Sequence, residues 1–173
     1  MSDKSSNPVA IITGGSRGVG AATAKLLASK GWNITITCTS SIEDADAVVK
    51  ECEALGVEAI ALSADVSDDN ACRKTSEETV KKWGRIDALV NNAGTTKFVF
   101  NHGDLEGLDA EDFLHIYKVN VVGPFQMVRA CKELLLKKGT LIDEDIVDSL
   151  DEKNIYEIKV RSAIHCETIH GIC

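Results

Sequence analysis

The sequence predicts an α/β fold in which a parallel β-sheet is connected by crossover helices. Short runs of apolar and β-branched residues alternate with longer segments of helical period from Val9 to Lys138. The short runs are almost continuously apolar, which is typical of parallel strands buried on both faces. With 173 residues, 44% of them hydrophobic, the chain has the length and composition of about one soluble domain.

Four strands and three intervening helices account for the first half of the chain. The predicted strands are Val9 to Thr13, Asn33 to Cys38, Ala59 to Ser63 and Ala88 to Asn91. Residues recur at helical spacing in the segments between them. The first helix has Val19, Ala22 and Leu26, the second has Ala45, Val48, Val49 and Cys52, and the third is the charged segment Ala71 to Trp83.

A longer helix is predicted from about Ala110 to Lys138, with Gly139 as its stop. Gly123-Pro124 predicts an interruption or bend within it, because proline removes a backbone donor and clashes with the preceding turn. One stripe of this helix is predicted to carry Phe113, Ile116, Tyr117, Asn120 and Val121.

The composition and the residue pattern of the sequence change after this helix. LIDEDIVDSLDEKN is strongly acidic and resembles a helix, and IYEIKV alternates like a strand. We therefore predict a domain boundary there, between an α/β domain over residues 1–138 and a small irregular α+β tail over residues 139–173.

Composition argues against several classes of partner. The chain has 19 basic and 27 acidic residues, a formal net charge of -8, without a basic patch, so we expect no binding to nucleic acid. We also expect no membrane association, because no apolar run approaches the roughly 20 residues of a span. Six cysteines without a CxxC pair, and an N-terminus unlike a signal peptide, predict reduced thiols in the cytoplasm.

A glycine-rich loop follows the first strand and opens the first helix. It reads Thr13-Gly14-Gly15-Ser16-Arg17-Gly18-Val19-Gly20. Gly14 permits a tight turn, Gly18 lets the backbone approach a pyrophosphate, and Gly20 allows close packing of the helix. The helix N-terminus offers free N–H groups to the anion, so the loop predicts a Rossmann-like dinucleotide site. The alternative is a glycine-rich turn that binds nothing.

The end of the second strand bears on the choice of cofactor. NAD-preferring sites carry an acidic residue there, whereas this chain has Cys38-Thr39-Ser40-Ser41. No carboxylate at that place would repel a 2′-phosphate, and Arg17 is placed to pair with one. We therefore expect NADP rather than NAD. In the alternative interpretation, Arg17 is a solvated surface charge.

Further motifs appear in a fixed order after the glycine loop. Asp65-Val66 follows the third strand, Asn91-Asn92-Ala93-Gly94 ends the fourth, and Asn120 stands in VNVVGPF. Over residues 8 to 138, this set resembles the classical short-chain dehydrogenases/reductases, and among them a bacterial 3-oxoacyl-acyl carrier protein reductase or a related alcohol or ketone oxidoreductase. The resemblance implies reversible hydride transfer between a nicotinamide and a carbonyl or alcohol carbon.

The same resemblance implies a role for each motif. Asp65 and Val66 would contact the adenine ring, and Asn120 would be the asparagine of the catalytic tetrad. The run Asn91 to Gly94, with Asn92, Ala93 and Gly94 at the cofactor, would stabilise the central sheet beside the cofactor. Each has a simpler interpretation as well. Asp65 would cap the next helix, the NNAG run would be an ordinary turn, and Asn120 would satisfy local backbone groups.

The catalytic serine and the Tyr-x-x-x-Lys pair of the family have no counterpart in this sequence. Its two tyrosines are Tyr117 and Tyr156, and the residues four positions later are Val121 and Val160. Lys159 lies three residues after Tyr156 in a segment that resembles a strand, where an odd offset points side chains to opposite faces. A lysine on the tyrosine's helical face is what lowers the phenol pKa, so we expect cofactor binding rather than turnover.

The later strands of the family also lack a counterpart. We therefore expect a fold truncated after the fourth strand and its long helix. The fourth strand is then predicted to lie at an open sheet edge and to favour self-association.

Residues 139–173 resemble part of the β′ subunit of bacterial RNA polymerase, where a VKVRS strand leads into a zinc-binding cysteine cluster. Cys166 and Cys173 would match two of its four ligands, with His165 and His170 as further donors. Two unpaired thiols are the favoured interpretation, so no metal is expected. The alternative function is then a non-catalytic fusion of a reductase remnant with a polymerase segment.

Overall fold

The structure is a computed structural model, and it describes residues 6–101 and 103–135. Strands and helices alternate from the first strand onward. In chain order they are β1 (Val9–Ile12), α1 (Gly18–Ala28), β2 (Asn33–Cys38), α2 (Ile42–Glu53), β3 (Ala59–Ser63), α3 (Asp69–Trp83), β4 (Ala88–Val90), a 3₁₀ turn (Leu105–Gly107), α4 (Ala110–Tyr117), a π-helical turn (Lys118–Val122) and α5 (Gly123–Leu135).

The four strands form one parallel sheet in the order β3-β2-β1-β4. Val9 is paired with Asn33, Ala10 with Ala88, and Ile34 with Ala59. The predicted α/β fold is thus confirmed, and each strand agrees with its predicted bounds to within a residue. In the described part of the chain β4 lies at one edge of the sheet, as predicted.

The sheet separates two apolar clusters, because alternate residues of a strand point to opposite faces. Ala10 and Ile12 of β1 pack in the cluster that α1 and α2 complete. Ile11, between them, packs in the other cluster with residues of α3 and α5. All of β1 and β2 is buried, so these two strands form the centre of the fold.

Helix α1 is present, but its predicted apolar stripe points away from the sheet. Val19 and Leu26 are 75% and 61% exposed, and Ala22 is exposed as well. The buried face instead consists of small residues, Gly20, Ala21, Ala24 and Ala28. Small side chains let the helix axis approach the sheet closely, and large ones at these positions would prevent it.

The long C-terminal helix begins at the predicted Ala110 and is interrupted near the predicted Gly123-Pro124, but its predicted stripe is not its buried face. The irregular turn, Lys118–Val122, ends just before Gly123. In the predicted stripe, Phe113, Tyr117 and Val121 are 60%, 58% and 49% exposed. The extra residue of a π turn rotates the helix, so the buried side after it is formed by Gly123, Gln126, Met127 and Cys131.

Several predictions fall on residues that the structure does not describe. These are the end of the long helix at Lys138, the stop at Gly139, the tail of residues 139–173 and the pair Tyr156 and Lys159. Among the described residues, no helix combines the length and the hydropathy needed to cross a bilayer.

Candidate dinucleotide-binding site

A cavity of about 430 Å³ opens where the strands end. Loops from all four strands contribute to it, as expected for ligand sites at the carboxyl ends of parallel strands. Its lining residues are Gly14, Ser16 and Arg17 after β1, Thr37 to Thr39 and Ser41 at and after the end of β2, Ala64 to Val66 after β3, Asn92 to Thr95 after β4, and His115 and Val119 from the C-terminal helices.

The glycine loop is shaped by positive backbone angles and by close contacts. Gly14 has φ +64° and Gly18 has φ +56°, which side-chain-bearing residues adopt at a cost. At Gly20, an added Cβ would lie 2.3 Å from the carbonyl oxygen of Gly14 and 2.6 Å from Nδ2 of Asn92. Gly20 therefore lets the first turn of α1 lie directly against the loop.

The NNAG segment is tied to the glycine loop by hydrogen bonds. Nδ2 of Asn92 donates to the carbonyl oxygens of Thr13 and Gly14, both at 2.9 Å. The backbone N–H groups of Asn92 and Ala93 donate to Oγ1 of Thr13, both at 3.0 Å. Thr13 Oγ1 in turn donates to the carbonyl oxygen of Val90 at 3.4 Å. This network makes the segment more than an ordinary turn, because it joins the ends of β1 and β4.

The N-terminus of α1 is suited to an anion. Arg17 occupies the N-cap position, and no side chain caps the first turn, which also contains no acidic residue. In α3, by contrast, Asp68 accepts a hydrogen bond from the N–H of Asn70 at 3.0 Å. The first N–H groups of α1 thus keep their capacity to donate to a phosphate.

The lining after β2 contains a thiol and hydroxyls. Cys38, Thr39 and Ser41 line the cavity there, and none of them carries a carboxylate. Burial raises the pKa of the Cys38 thiol, and the nearby carboxylates Asp46 and Asp44 of α2 raise that pKa further. The Cys38 thiol is therefore neutral at physiological pH.

Asp65 and Val66 line the cavity beside this segment. Asp65 Oδ1 accepts a hydrogen bond from the N–H of Ser67 at 2.9 Å, which fixes the loop after β3. The simpler interpretation, in which Asp65 caps the next helix, is wrong, because Asp68 occupies that position. Val66 is 4% exposed and packs in the core beside the cavity.

Asn120 lies in the π-helical turn and faces a second, more open cavity of about 440 Å³. Its side chain pairs in both directions with the backbone of Thr95. Oδ1 accepts from the Thr95 N–H and Nδ2 donates to the Thr95 carbonyl oxygen, both at 2.8 Å. The satisfied backbone groups are thus 25 residues away rather than local. Asn120 fixes the segment that follows NNAG.

The structure gathers most of the predicted cofactor residues, with three exceptions. Gly18, Val19 and Gly20 do not line the cavity. Gly18 and Gly20 shape the loop and the helix start, while Val19 is exposed on the outer side of α1. Their direct contact with a cofactor stays a prediction.

Sequence reasoning missed several residues of this region, including Ala64 and Thr95 of the lining. Thr13 organises the network above, and Thr37 accepts a hydrogen bond from the Gly14 N–H at 3.3 Å. His115 and Val119 line the cavity from the C-terminal helices. Thr13 directly follows β1 and Thr37 is the penultimate residue of β2, so the sequence does place both beside the loop. The two helical residues are four apart, but their sequence does not show which side of the helix meets the sheet.

No group of three or more metal-ligating side chains occurs within the described ranges. The partial zinc site proposed for Cys166 and Cys173 lies outside those ranges. The described cysteines Cys38, Cys52, Cys72 and Cys131 are free and buried. Burial, the leading cause, raises the pKa of the Cys72 thiol to about 11.

Comparison with protein families gives a match to the family described as short chain dehydrogenase, over residues 8–143. The match extends past the predicted domain boundary at residue 138. It includes the glycine loop, the NNAG segment and Asn120.

Individual proteins similar to this chain are oxidoreductases of the same kind. An uncharacterized oxidoreductase of Methylorubrum extorquens is 39% identical over 78% of this chain and 53% of its own length. A 3-oxoacyl-[acyl-carrier-protein] reductase of Synechocystis is 39% identical over 75% and 51%. A metagenomic short-chain oxidoreductase solved in complex with NADP has a TM-score of 0.68 at 33% identity, covering 76% of this chain and 57% of that one. The chain thus spans about half the length of the curated relatives that it matches.

Proposed function

Because the chain belongs to the short-chain dehydrogenase family, we propose that it binds a nicotinamide dinucleotide, NADP in preference to NAD, in the cavity at the ends of the strands. The pyrophosphate would lie against the N-terminus of α1 and the adenosine half beside Asp65 and Val66. The NNAG segment would border the nicotinamide half. In the solved relative the bound nucleotide is NADP, which supports the same choice here.

The observation that carries the preference for NADP is the charge around the lining after β2. Arg17 is the cationic side chain among the lining residues, and no carboxylate follows β2 in that lining. A guanidinium forms strong, charge-assisted hydrogen bonds with a phosphate. Arg17 would therefore bind the 2′-phosphate that distinguishes NADP from NAD.

One observation favours NAD as a second candidate. The first turn of α2 carries Glu43 and Asp44. The negative charges of Asp46 and Asp44 raise the pKa of the Cys38 thiol, so these carboxylates lie near the end of β2. These carboxylates would weaken the binding of a 2′-phosphate placed near Cys38. The preference for NADP thus depends on Arg17 outweighing them.

The reaction of the family would be hydride transfer between the nicotinamide and a carbonyl or alcohol carbon, and the bound cofactor supplies the hydride chemistry. The chain's own contribution would be to bind the dinucleotide and exclude water from it. No tyrosine of the sequence has a lysine four positions later. We therefore propose that this chain binds cofactor but does not by itself turn over a carbonyl substrate, such as the 3-oxoacyl class of its relative.

Titration of the purified chain with NADPH and with NADH, followed by nucleotide fluorescence, tests the proposal. We expect NADPH to bind more tightly. Arg17→Ala should weaken NADPH binding about ten-fold or more, because a charge-assisted hydrogen bond is lost. NADH binding should change little, since NADH has no 2′-phosphate.

Arg73→Ala is the matched control, because Arg73 is an exposed arginine of α3 that does not line the cavity. It should leave both affinities unchanged. Equal binding of NADPH and NADH would contradict the preference, and binding of neither would contradict the function itself.

Two further expectations remain proposals. Self-association would use the outer edge of β4, whose three residues are half-buried in the described structure. The cytoplasm would be the compartment of the chain, in keeping with its free buried thiols. The resemblance of residues 139–173 to a polymerase segment concerns residues that the structure does not describe.

A further inference from the structure

His115 is a cavity-lining residue to which no role has yet been given. It lies in α4, one helical turn before Val119, and both side chains line the cavity. Val119 is 8% exposed and belongs to the same apolar cluster as Val66, whereas His115 is exposed. The C-terminal helices thus present a buried apolar side chain and an exposed aromatic ring to the same cavity.

The surroundings of His115 leave its ring available to a ligand. Within the described residues, the imidazole forms no hydrogen bond and no ion pair. The carboxylate one turn earlier, Asp112, is engaged by the ammonium group of Lys97 and by the N–H of Asp109. The hydrogen bonds from Lys97 and from the backbone of Asp109, and then the positive charge of Lys97, hold the pKa of Asp112 below its ordinary value.

The chemistry of this part of the cavity suits a flat aromatic base. Val66 and Val119 supply apolar surface, and Asp65 supplies a hydrogen-bond acceptor at the edge. Histidine is among the aromatic side chains on which nucleobases stack. We infer that the imidazole of His115 stacks on the adenine ring of the dinucleotide and so contributes to the binding of its adenosine half. This inference rests on the proposed function.

Dissection of the dinucleotide into its two halves tests the inference. Calorimetric titrations would use NADPH, adenosine 2′,5′-bisphosphate and nicotinamide mononucleotide with the whole chain. His115→Ala should weaken NADPH and adenosine 2′,5′-bisphosphate by about five-fold or more, which is the lower range for loss of one stacked base. Binding of the mononucleotide should be unchanged.

Two further variants separate stacking from other effects. His115→Phe keeps an aromatic ring and should bind both adenosine ligands within about two-fold of the unaltered chain. Phe113→Ala, in the same helix, removes a 60% exposed ring that does not line the cavity, so all affinities should be retained. Because both sites are exposed, the thermal midpoint of each variant should match that of the unaltered chain.

The outcomes distinguish this inference from the proposed function. If the unaltered chain binds NADPH and His115→Ala binds adenosine 2′,5′-bisphosphate equally well, the role of His115 is wrong and the function stands. Loss of binding in both the alanine and the phenylalanine variants would also overturn the stacking role. If the unaltered chain binds no nucleotide, the proposed function fails, and this inference fails with it.

Discussion

The two faces of the sheet are packed in different ways. On the face covered by α1 and α2, neighbouring elements approach each other closely through residues that have small side chains or none. On the face covered by α3 and α5, side-chain hydrogen bonds join one element to the next. Gly15 and Gly20 lie so close to their neighbours that a Cβ at either would come within 2.5 Å or less of another atom. On the other face, Thr35 and Thr79 share a buried hydrogen bond of 3.0 Å. The first face should therefore be sensitive to added atoms and the second to lost polar partners.

Other contacts of the second face follow the same pattern. Ser76 Oγ donates to the carbonyl oxygen of Ala130 at 2.9 Å, which joins α3 to α5. Nε2 of Gln126 donates to the carbonyl oxygen of Val66 at 3.0 Å, which joins α5 to the loop after β3. Close approach also occurs there, since a Cβ at Gly123 would lie 2.7 Å from Cγ2 of Val66. That neighbour is a side chain, whereas at Gly20 the nearest atom is a backbone oxygen.

The largest effect is expected from Gly20→Ala. The methyl group would displace the Gly14 carbonyl, which Asn92 binds at 2.9 Å, so the glycine loop and the NNAG segment would move together. We expect the free energy of unfolding to fall by about 2 kcal/mol or more, because overpacking outweighs the helix propensity of alanine. NADPH affinity should fall with it. Urea denaturation and fluorescence titration measure the two effects.

Gly31→Ala is the control for this experiment. Gly31 has φ +81° but open space where a Cβ would lie, and it does not line the cavity. Gly31→Ala should lower the free energy of unfolding by about 1 kcal/mol, through backbone strain alone, and leave NADPH binding intact. Equal destabilisation by the two variants would show that close contact is not what requires glycine at position 20.

A smaller effect is expected in the second face, from Thr79→Val. Thr79 Oγ1 donates to the carbonyl oxygen of Thr75 at 2.7 Å and therefore accepts from Thr35. Valine at position 79 would leave the buried hydroxyl of Thr35 without its acceptor, whereas valine at position 35 would leave the Thr79 bond to Thr75 in place. We expect Thr79→Val to lower the free energy of unfolding by about 1 to 2 kcal/mol and Thr35→Val by less than about 1 kcal/mol.

Urea denaturation of both variants checks this asymmetry. Thr23→Val provides a matched control in α1, because the Thr23 hydroxyl bonds only within its own helix, to the Val19 carbonyl oxygen at 2.8 Å. Its effect should stay within about 0.5 kcal/mol. A cost for Thr35→Val equal to that of Thr79→Val would contradict the assigned direction of the hydrogen bond.

The contrast between the faces also explains which parts of the fold the sequence predicts. Buried parallel strands appear as continuous apolar runs, so the strands were located to within a residue. The predicted orientation of α1 was wrong, because hydrophobic patterning gives weight to large residues such as Val19 and Leu26. Close packing instead selects Gly20, Ala21 and Ala24, which carry a weak hydrophobic signal.

The candidate site divides in the same way. The glycine loop and NNAG are predictable because backbone geometry restricts their residue types. The π-helical turn is associated with a contact between Asn120 and Thr95, 25 residues apart, and no local pattern encodes such a contact. The place of His115 in the cavity lining depends on the orientation of α4, which the sequence does not reveal.

The smallest effect is expected from Arg129→Gln, which removes an ion pair between α5 and α3. Nη2 of Arg129 lies 2.7 Å from Oδ1 of Asp69, and Arg73 contacts the other oxygen. Hydrogen bonds from Arg129, and then from Arg73, lower the pKa of Asp69 below its ordinary value of 3.8. A lowered pKa in the folded state means that this pairing stabilises the fold above about pH 4 and that the stabilisation is lost as the pH falls through the lowered pKa.

The difference in stability between the unaltered chain and Arg129→Gln should therefore be present at pH 7 and shrink towards zero in acid. Because the groups are partly exposed, added salt should reduce it as well. Urea midpoints from pH 7 downward measure the difference, and Arg73→Gln should show a weaker version of the same profile. A difference that stays constant into acid would mean that Arg129 stabilises the second face through its packing over the Phe125 ring, 5.2 Å from the ring centroid, rather than through Asp69.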